Sequence, residues 1–374
     1  MSNRLELPAL ASAHSHAFQR AMRGDAQRAS GATTDDFWSW RTAMYSLADS
    51  LDPQSIYDIS RIAYRELYLA GVRTVGEFHY VHHQAGGIPY ADRTVMADQV
   101  IRAARAENLR IGLFRVVYAR AGAGREPEGA QRRFCDPNLD QSLSDIETLA
   151  QRWSGDEGVR IGVAAHSVRA VPPVYWRPIA EFAATRNMVF HAHVAEQPAE
   201  IQACLAETKR RPIELLADHG VLSPKFVAVH ATHLELHEAS LLGEARSIAC
   251  LCPTTERDLG DGLPNVAALR AANVRICMGV DSHVMTDPLE DLRCIELGER
   301  LRTGKRLAIR SDERTPAEEL WHMGAVIGAE ACGFSDPGGF VAVDLSAPEL
   351  QLVRKEHLLD AIVHSGSTRI FCSP

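Results

Sequence analysis

Eight short apolar segments alternate with helical patterns along the chain, and this alternation limits the possible folds most strongly. The segments are rich in Val, Ile and Ala, as is typical of strands buried on both faces of a parallel sheet. Eight strand–helix units in a row favour a (β/α)8 barrel of the α/β class. An open doubly wound sheet is the alternative, but no Gly-x-Gly-x-x-Gly follows a strand. The predicted strands are one beginning at Leu10, then Val72–Tyr80, Leu109–Tyr118, Val159–His166, Met188–Val194, Phe226–Thr232, Ser247–Pro253 and Val274–Asp281.

The helical patterns carry recognisable ends. Asp52-Pro53 predicts a helix start and Ala70-Gly71 its end, because Asp caps, Pro suits the first turn and Gly suits the position after the last. The acidic pair Asp35-Asp36 also suits a helix N-terminus. Beyond the eighth strand, two more helices are predicted. The segment Gly338–Leu345 is expected to form a strand outside the barrel.

Composition excludes several classes of function. The 374 residues are 46% hydrophobic and 24% charged, which is ordinary for one large barrel or two average domains. The net charge of -8, with scattered Lys and Arg, argues against a nucleic-acid partner but permits a small anionic substrate. Eight cysteines without a Cys-x-x-Cys pair indicate a reduced, cytoplasmic protein. We expect no signal peptide and no membrane partner, since no suitable apolar run occurs.

Polar residues with similar chemistry follow most of the predicted strands. Active sites of such barrels lie at the C-terminal ends of the strands, and uncompensated buried polar groups cost a few kcal/mol each. A sequence selected for stability alone would therefore not collect them there. The residues concerned are His14, His16, His79, Tyr80, His166, Arg169, His191, His193, Glu196, His230 and Asp281.

The strand-end residues predict a mononuclear metal centre. His14 and His16 are two apart on a strand and so project to the same face, where two imidazoles can bind one ion. With His193 and Asp281 they supply three nitrogens and one carboxylate, which leaves room for a water on a catalytic zinc. Such an ion lowers the pKa of bound water to about 7. Asp281 can then accept a proton.

Two further strand-end residues are placed to act on the substrate. Glu196 and His230 are expected where a substrate nitrogen is protonated and the attacked centre is polarised. His191 is expected on the opposite face from His193, as a core residue.

Other conspicuous side chains are assigned to packing or to the surface. Five histidines lack a strand-end context, and no base accompanies Cys250 or Cys252 to make either a nucleophile. Trp38 and Trp40 are expected to pack within a helix close to the first strand–helix loop. The five histidines are His82, His83, His219, His237 and His322.

Taken together, these motifs resemble the amidohydrolase superfamily, in its mononuclear deaminase branch. The resemblance covers roughly residues 10–302, and its more specific parts surround Gln19, Arg41 and Arg169. The matching stretches are His14-Ser15-His16-Ala17-Phe18-Gln19-Arg20-Ala21-Met22, Asp35-Asp36-Phe37-Trp38-Ser39-Trp40-Arg41, His166-Ser167-Val168-Arg169-Ala170-Val171, His191-Ala192-His193-Val194-Ala195-Glu196-Gln197, Cys252-Pro253-Thr254-Thr255-Glu256, Leu259-Gly260-Asp261-Gly262 and Asp281-Ser282-His283.

The resemblance implies one zinc ion on His14, His16, His193 and Asp281, with Glu196, His230 and Asp281 catalytic. It also implies a hydrolytic deimination of a small dicarboxylate that carries a cationic formimino group, with release of ammonia. Arginines suit the two carboxylates, because they make bidentate charge-assisted contacts. The implied substrate pocket consists of Gln19, Arg41, Tyr80, His166 and Arg169.

Two other functions stay open at this point. A related zinc hydrolase could act on another amidine, on a guanidine or on an aromatic base, in which case Arg41 and Arg169 would hardly matter. A barrel retained only for binding is the other possibility. The complete set of metal and proton-transfer residues argues against it.

The chain departs from the family in its small second domain. Relatives begin with several strands that pair with C-terminal strands in a β-sandwich, whereas only nine residues precede the first barrel strand here. We therefore predict a barrel over residues 1–335 and a short C-terminal remnant of the small domain over 336–374. The exposed apolar surface left by an absent sandwich would suit a homodimer.

Overall fold

The protein, described by a computed structural model for residues 4–28 and 37–372, forms the predicted (β/α)8 barrel. Eight parallel strands, β2 to β9, stand side by side in chain order, and two further strands form a separate small sheet. The strands are β1 (Arg4–Pro8), β2 (Leu10–Ser12), β3 (Val72–His79), β4 (Arg110–Val117), β5 (Val159–Ser167), β6 (Phe190–Val194), β7 (Phe226–His230), β8 (Ile248–Leu251), β9 (Arg275–Met278) and β10 (Phe340–Asp344).

Helices cover the outside of the barrel and bury its apolar strands. The predicted Pro53 start is confirmed, with the Asp52 side chain accepting a hydrogen bond from Ser55 N. The expected Asp35-Asp36 helix start lies outside the described residues. The helices are α1 (Phe37–Ser50), α2 (Pro53–Leu69), α3 (Val95–Ala106), α4 (Leu139–Arg152), α5 (Pro173–Thr185), α6 (Pro198–Thr208), α7 (Pro212–Asp218), α8 (Leu236–Glu244), α9 (Pro253–Leu259), α10 (Val266–Ala271), α11 (Pro288–Thr303), α12 (Pro316–His322), α13 (Gly328–Ala331) and α14 (Leu358–Ser365), with a π-helical turn at Met323–Ile327.

The first and last barrel strands meet at the residues that the sequence assigns to a metal centre. Ala13 N donates to Met278 O at 2.9 Å, Asp281 N to His14 O at 3.1 Å, and His16 N to Asp281 O at 2.9 Å. These backbone bonds fix the position of the His14-x-His16 pair relative to Asp281. Closure of the barrel therefore brings together residues that are more than 260 positions apart in the sequence.

The opposite end of the barrel is plugged by the end of α13. The carbonyl of Cys332 approaches Gly112 so closely that a Cβ there would lie 2.4 Å from the oxygen. A Cβ on Gly76 would likewise lie 2.3 Å from Ala13 O. Glycine at these two positions lets the plug and the neighbouring strand approach the sheet.

His191 is a core residue, as expected, but its expected orientation was wrong. Residues two apart on a strand share a face, so His191 and His193 both point into the barrel. The His191 ring stacks on Phe114 with centroids 3.7 Å apart. Its Nε2 lies 2.8 Å from Ala331 O of the plug. His191 thus lies one layer below His193 in the barrel interior.

The small sheet has two strands, β1 and β10, paired antiparallel from Arg4↔Asp344 to Pro8↔Phe340. The strand at Phe340–Asp344 was predicted and that at Arg4–Pro8 was not, although Leu5 and Leu7 alternate with exposed Arg4 and Glu6. Trp321 Nε1 donates to Pro8 O at 3.0 Å and joins the sheet to α12.

Two other sequence expectations concern membranes and cysteines. In the ranges described, no helix combines the length and the apolar character needed to cross a bilayer. All eight cysteines are free thiols, and five of them are buried.

Candidate active site

A cavity of about 270 Å³ opens at the C-terminal ends of the barrel strands. This is near the lower end of the range for small-molecule sites, roughly 300–1,000 Å³. The cavity brings together all the sequence-predicted site residues except His14, which lies directly behind it. The predicted residues that line it are His16, Gln19, Arg41, Tyr80, His166, Arg169, His193, Glu196, His230 and Asp281.

Three imidazole nitrogens converge at the floor of the cavity. His14 Nε2 lies 3.3 Å from His16 Nε2 and 3.1 Å from His193 Nε2. Asp281 Oδ1 is 3.4 Å from the Nε2 atoms of both His14 and His16. Ligands at about 2.0–2.1 Å from a tetrahedral zinc ion are roughly 3.3–3.4 Å apart. This donor set therefore fits one divalent ion.

Hydrogen bonding and burial keep these imidazoles in the form that binds metal. His16 Nδ1 lies 2.9 Å from Phe78 O, so it carries the proton and leaves the Nε2 lone pair free. Burial lowers the pKa of His14 and of His193, and lowers that of His16 to about 3. Burial alone would raise the pKa of Asp281, but the hydrogen bond with His14 and the neighbouring imidazoles hold it below its ordinary value.

A buried carboxylate holds the His14-x-His16 segment in place. Glu77 accepts a 2.6 Å hydrogen bond from Ser15 Oγ and a 2.9 Å bond from Ala17 N. Burial raises the pKa of Glu77 to about 7. Sequence analysis missed this residue, since a carboxylate inside an apolar strand was the only available indication of its role.

Two of the strand-end residues have strained backbones. His230 has φ of 69° and Asp281 has φ of 53°, in the left-handed region that non-glycine residues rarely adopt. Such strain costs on the order of 1–3 kcal/mol and persists where the surroundings enforce it. Here it turns both side chains into the cavity.

His230 is surrounded by carboxylates. Its Nε2 lies 3.7 Å from Glu196 Oε1 and 3.9 Å from Asp281 Oδ2, while its Nδ1 lies 3.4 Å from Glu256 Oε1. Burial alone would lower the pKa of His230, but Glu196, Glu256 and Asp281 raise it to about 10. Burial raises the pKa of Glu196 above its ordinary value. The group can therefore hold and pass protons at neutral pH.

Arg41 and Arg169 face the cavity without a carboxylate partner. Within the described ranges, neither makes an ion pair shorter than 4.0 Å, and Arg41 Nη1 is buried without a hydrogen-bond partner. The Arg41 guanidinium lies 4.5 Å from the Trp38 ring centroid, and Arg169 Nη1 donates to Ala121 O at 3.4 Å. Two such cations in one cavity are suited to an anionic ligand.

Gln19 and Tyr80 form one pair. Gln19 Nε2 donates to the Tyr80 hydroxyl at 2.9 Å, and Gln19 Oε1 is buried with no partner in the part of the chain described. That oxygen can accept a hydrogen bond from a ligand. His166 lies beside them, with its ring centroid 5.0 Å from that of His193.

Two tyrosines beside the arginines were not predicted from sequence. Tyr45 and Tyr118 line the cavity, and Gln131 Nε2 donates to both hydroxyl oxygens, at 3.0 and 3.1 Å. Because each hydroxyl oxygen accepts this bond, its own proton is free to be donated elsewhere. Burial alone would lower the pKa of Arg169, but the neighbouring Tyr118 and Tyr45 raise it.

The structure places the side chains that were assigned to packing or to the surface. Trp38 and Trp40, expected to pack within a helix close to the first strand–helix loop, also line the cavity. His82 and His83 are buried packing residues, with His82 Nε2 2.9 Å from Val116 O. His237 is exposed, as expected.

Comparison with known proteins identifies the class to which this barrel belongs. The amidohydrolase family matches residues 6–347, and the chain belongs to that family. It is accordingly a hydrolase that acts on carbon–nitrogen bonds, and its His14, His16 and His193 are close enough together to hold a metal ion.

Individual relatives show which enzymes of this family the chain is similar to. The chain is 37% identical over 350 residues to formimidoylglutamate deiminase of Pseudomonas aeruginosa, covering 92% of this chain and 76% of that one. It is 28% identical over 291 residues to 8-oxoguanine deaminase of the same organism, covering 76% and 61%. A crystal structure of an amidohydrolase from Brucella melitensis superposes with a TM-score of 0.88 at 32% identity, covering 98% and 84%. The resemblance inferred from the motifs is confirmed.

Proposed function

We propose that the protein hydrolyses N-formimino-L-glutamate to N-formyl-L-glutamate and ammonia, a reaction of histidine degradation. One zinc ion per chain would be bound by His14, His16, His193 and Asp281. The similarity to formimidoylglutamate deiminase supports this substrate. The observation that carries the proposal is the pair Arg41 and Arg169, which face the same cavity as the histidine cluster without carboxylate partners among the described residues.

The substrate offers charges that match this cavity. Its two carboxylates can accept bidentate hydrogen bonds from the arginines, and each such charge-assisted contact is stronger than a neutral one. Gln19 Oε1, buried and unpaired in the described part of the chain, can accept a hydrogen bond from the formimino group. An aromatic base would leave both guanidinium groups unpaired in the enclosed cavity, which is unfavourable.

The reaction adds one water to the formimino carbon and breaks the bond to its terminal nitrogen, which leaves as ammonia. A metal ion, when bound, supplies a water that is nucleophilic at neutral pH. Asp281 would accept a proton from the attacking water, since its Oδ2 is turned toward His230 while its Oδ1 faces His14 and His16. Glu196 and His230 pass protons to the departing nitrogen, and Arg41 and Arg169 hold the other end of the substrate.

A deaminase of aromatic bases is the second candidate. It is supported by the similarity to 8-oxoguanine deaminase and by the aromatic cavity residues Tyr80, Tyr118 and Phe134, on which a base could stack. The two substrates therefore have to be compared on the same preparation.

The test is ammonia release from N-formimino-L-glutamate and from 8-oxoguanine by purified, zinc-loaded protein. The matched control is Asp281→Asn, which removes a carboxylate at nearly constant volume. We expect ammonia release from the amidine. The rate should be at least about 10³-fold lower in the control, because removal of one member of a catalytic unit abolishes most of the effect of the whole unit. Release from 8-oxoguanine alone would contradict the proposed substrate. Equal release by the control would contradict the assignment of Asp281 to the active site.

A further inference from the structure

We propose that His230, Cys252 and Asp281 form a second cation site beside the first, which takes a soft divalent ion and inhibits the enzyme when it is filled. The proposed ion is Zn²⁺ in excess of one equivalent, or Cd²⁺. The inhibitory consequence rests on the function proposed above, whereas the binding of the ion does not.

The geometry of this cluster is independent of the first donor set except for Asp281. One ligand atom from each of His230, Cys252 and Asp281 lies within 4.8 Å of the others, and all three residues are buried. The His230 Nε2 to Asp281 Oδ2 distance is 3.9 Å. Glu196 Oε1, 3.7 Å from the same nitrogen, could serve as a fourth ligand.

Asp281 can serve both sites because its two oxygens face different groups. Oδ1 is 3.4 Å from His14 and His16 Nε2, and Oδ2 faces His230. A carboxylate in this position can bridge two ions, one on each oxygen.

His230 is already oriented for binding. Its Nδ1 faces Glu256 Oε1 at 3.4 Å, and Glu256 is itself fixed by a 2.8 Å hydrogen bond from Cys252 N. A histidine ligand whose other nitrogen donates to a carboxylate is held in the correct tautomer and orientation for a metal. Residues 252–256 therefore supply both the ligand Cys252 and the carboxylate of Glu256, which orients the second ligand, His230.

The thiol determines which ions can bind. A sulfur ligand favours soft or borderline ions such as Zn²⁺ and Cd²⁺ over Mg²⁺ and Ca²⁺. The thiol of Cys252 loses its proton as the sulfur–metal bond forms, and His230 gives up the proton on Nε2 as its nitrogen binds, so each ion bound releases one proton from each of these two residues. Cys250, two residues earlier and within β8, is also buried but is not part of the cluster.

Inhibition follows from the residues that the second ion would occupy. His230 and the free oxygen of Asp281 are the groups that we assign to proton transfer. An ion bound to both removes the lone pairs needed to carry protons. Excess metal would then reduce kcat rather than raise KM, because the arginine end of the cavity is unaffected.

The experiment starts from protein loaded with one equivalent of zinc and titrates it with Co²⁺, whose bond to a thiolate gives a charge-transfer absorption in the near ultraviolet. Metal analysis after gel filtration verifies that the first zinc is retained. Three variants are compared with the wild type: Cys252→Ser, the matched control Cys250→Ser, and His230→Asn. Circular dichroism and thermal unfolding show whether each variant is folded.

We expect the absorption in the wild type and in Cys250→Ser, and none in Cys252→Ser. His230→Asn keeps the thiol and should bind cobalt at least about tenfold more weakly, as expected when a contact that supports a metal site is lost. An absorption that persists in Cys252→Ser, or its absence from the wild type at millimolar Co²⁺, would overturn the proposal. If Cys252→Ser fails to fold, the affinity of His230→Asn for Co²⁺ tests the proposal. An affinity equal to that of the wild type would then contradict it.

The activity arm measures each variant against its own rate with one equivalent of zinc. A second equivalent should inhibit the wild type and Cys250→Ser but spare Cys252→Ser. Inhibition that is equal in Cys252→Ser would contradict the proposal. A wild type that is inactive on N-formimino-L-glutamate defeats the proposed function alone, since the cobalt titration still decides whether the second site exists.

Discussion

Two groups of arginines lie near the C-terminal ends of the barrel strands, and they differ in their partners. Arg115, fully buried, contacts Asp136 at 2.7 Å and Asp145 at 2.8 Å, and Arg93 contacts the same two carboxylates at 2.6 and 3.1 Å. Arg41 and Arg169 border the cavity, and in the ranges described they have no carboxylate within 4.0 Å. The first group is satisfied within the protein, whereas the second has its binding capacity left for a ligand.

The difference separates stability from function. A buried cation with two carboxylate partners is costly to disturb, because removal of one member leaves an uncompensated charge. A cation that faces an enclosed cavity without a partner contributes little to folding, and the cost of its desolvation is recovered when an anion binds. The following predictions test this contrast, from the largest expected effect to the smallest.

Arg115→Met should destabilise the fold by up to about 3–5 kcal/mol, because Asp136 and Asp145 lose their fully buried partner and keep only the partly exposed Arg93 as an arginine partner. Urea unfolding followed by circular dichroism measures the change. The folded variant should keep kcat/KM within a few-fold of the wild type. A large loss of activity without a loss of stability would contradict the assignment of Arg115 to structure.

Arg169→Ala should have the opposite profile. Truncating one partner of a hydrogen-bonded charge pair costs roughly 2–5 kcal/mol, which corresponds to about 30- to 4,000-fold in kcat/KM for the dicarboxylate. The free energy of unfolding should be unchanged or slightly higher. Arg132→Ala, at an exposed position of the same region, is the control and should leave both quantities near the wild-type values.

Glu256→Gln tests the group that orients His230. The variant keeps the shape of the side chain but loses its charge, so kcat should fall about 10–100-fold while KM changes little. The pH profile of kcat should shift as well, because the Glu256 charge contributes to the raised pKa of His230. An altered KM with an unchanged profile would indicate a structural role only.

The ion pairs of Arg115 with Asp136 and Asp145 should lose their contribution to folding stability in acid. Burial alone would raise the pKa of Asp136, but Arg115 and His83 hold it well below its ordinary value. The resulting stability is fully present above pH 4 and is lost as the pH falls further, because only the unfolded chain then takes up the proton. The slope is at most about 1.4 kcal/mol per pH unit. Arg115→Met should show a shallower slope between pH 4 and 3, and identical slopes would refute the pairing.

Tyr118→Phe should have the smallest effect. Loss of one neutral hydrogen bond costs about 0.5–1.5 kcal/mol, or roughly two- to tenfold in KM for the dicarboxylate. The same variant should leave KM for a neutral amidine unchanged. Equal effects on both substrates would show that the hydroxyl supports the cavity wall rather than the carboxylate.

Local patterns in the sequence were sufficient to predict the barrel and the first candidate ligands. His14 and His16 are neighbours on one strand, and His193, His230 and Asp281 each follow an apolar segment. Contacts between distant segments could not be read in this way. Gln131 reaches Tyr45 and Tyr118 only because a loop folds over the barrel, and β1 pairs with β10 across most of the chain. The division at residue 335 and the homodimer stay predictions.

The most direct measurement compares kcat/KM for N-formimino-L-glutamate with that for its side-chain amide, N-formimino-L-glutamine, in one zinc-loaded preparation. The two substrates differ by a single charge at the end that Arg41 and Arg169 are proposed to bind. A preference for the dicarboxylate of about 10²-fold or more is predicted, since one desolvated ion pair is worth a few kcal/mol. Equal rates for the two substrates would contradict the account of the cavity arginines.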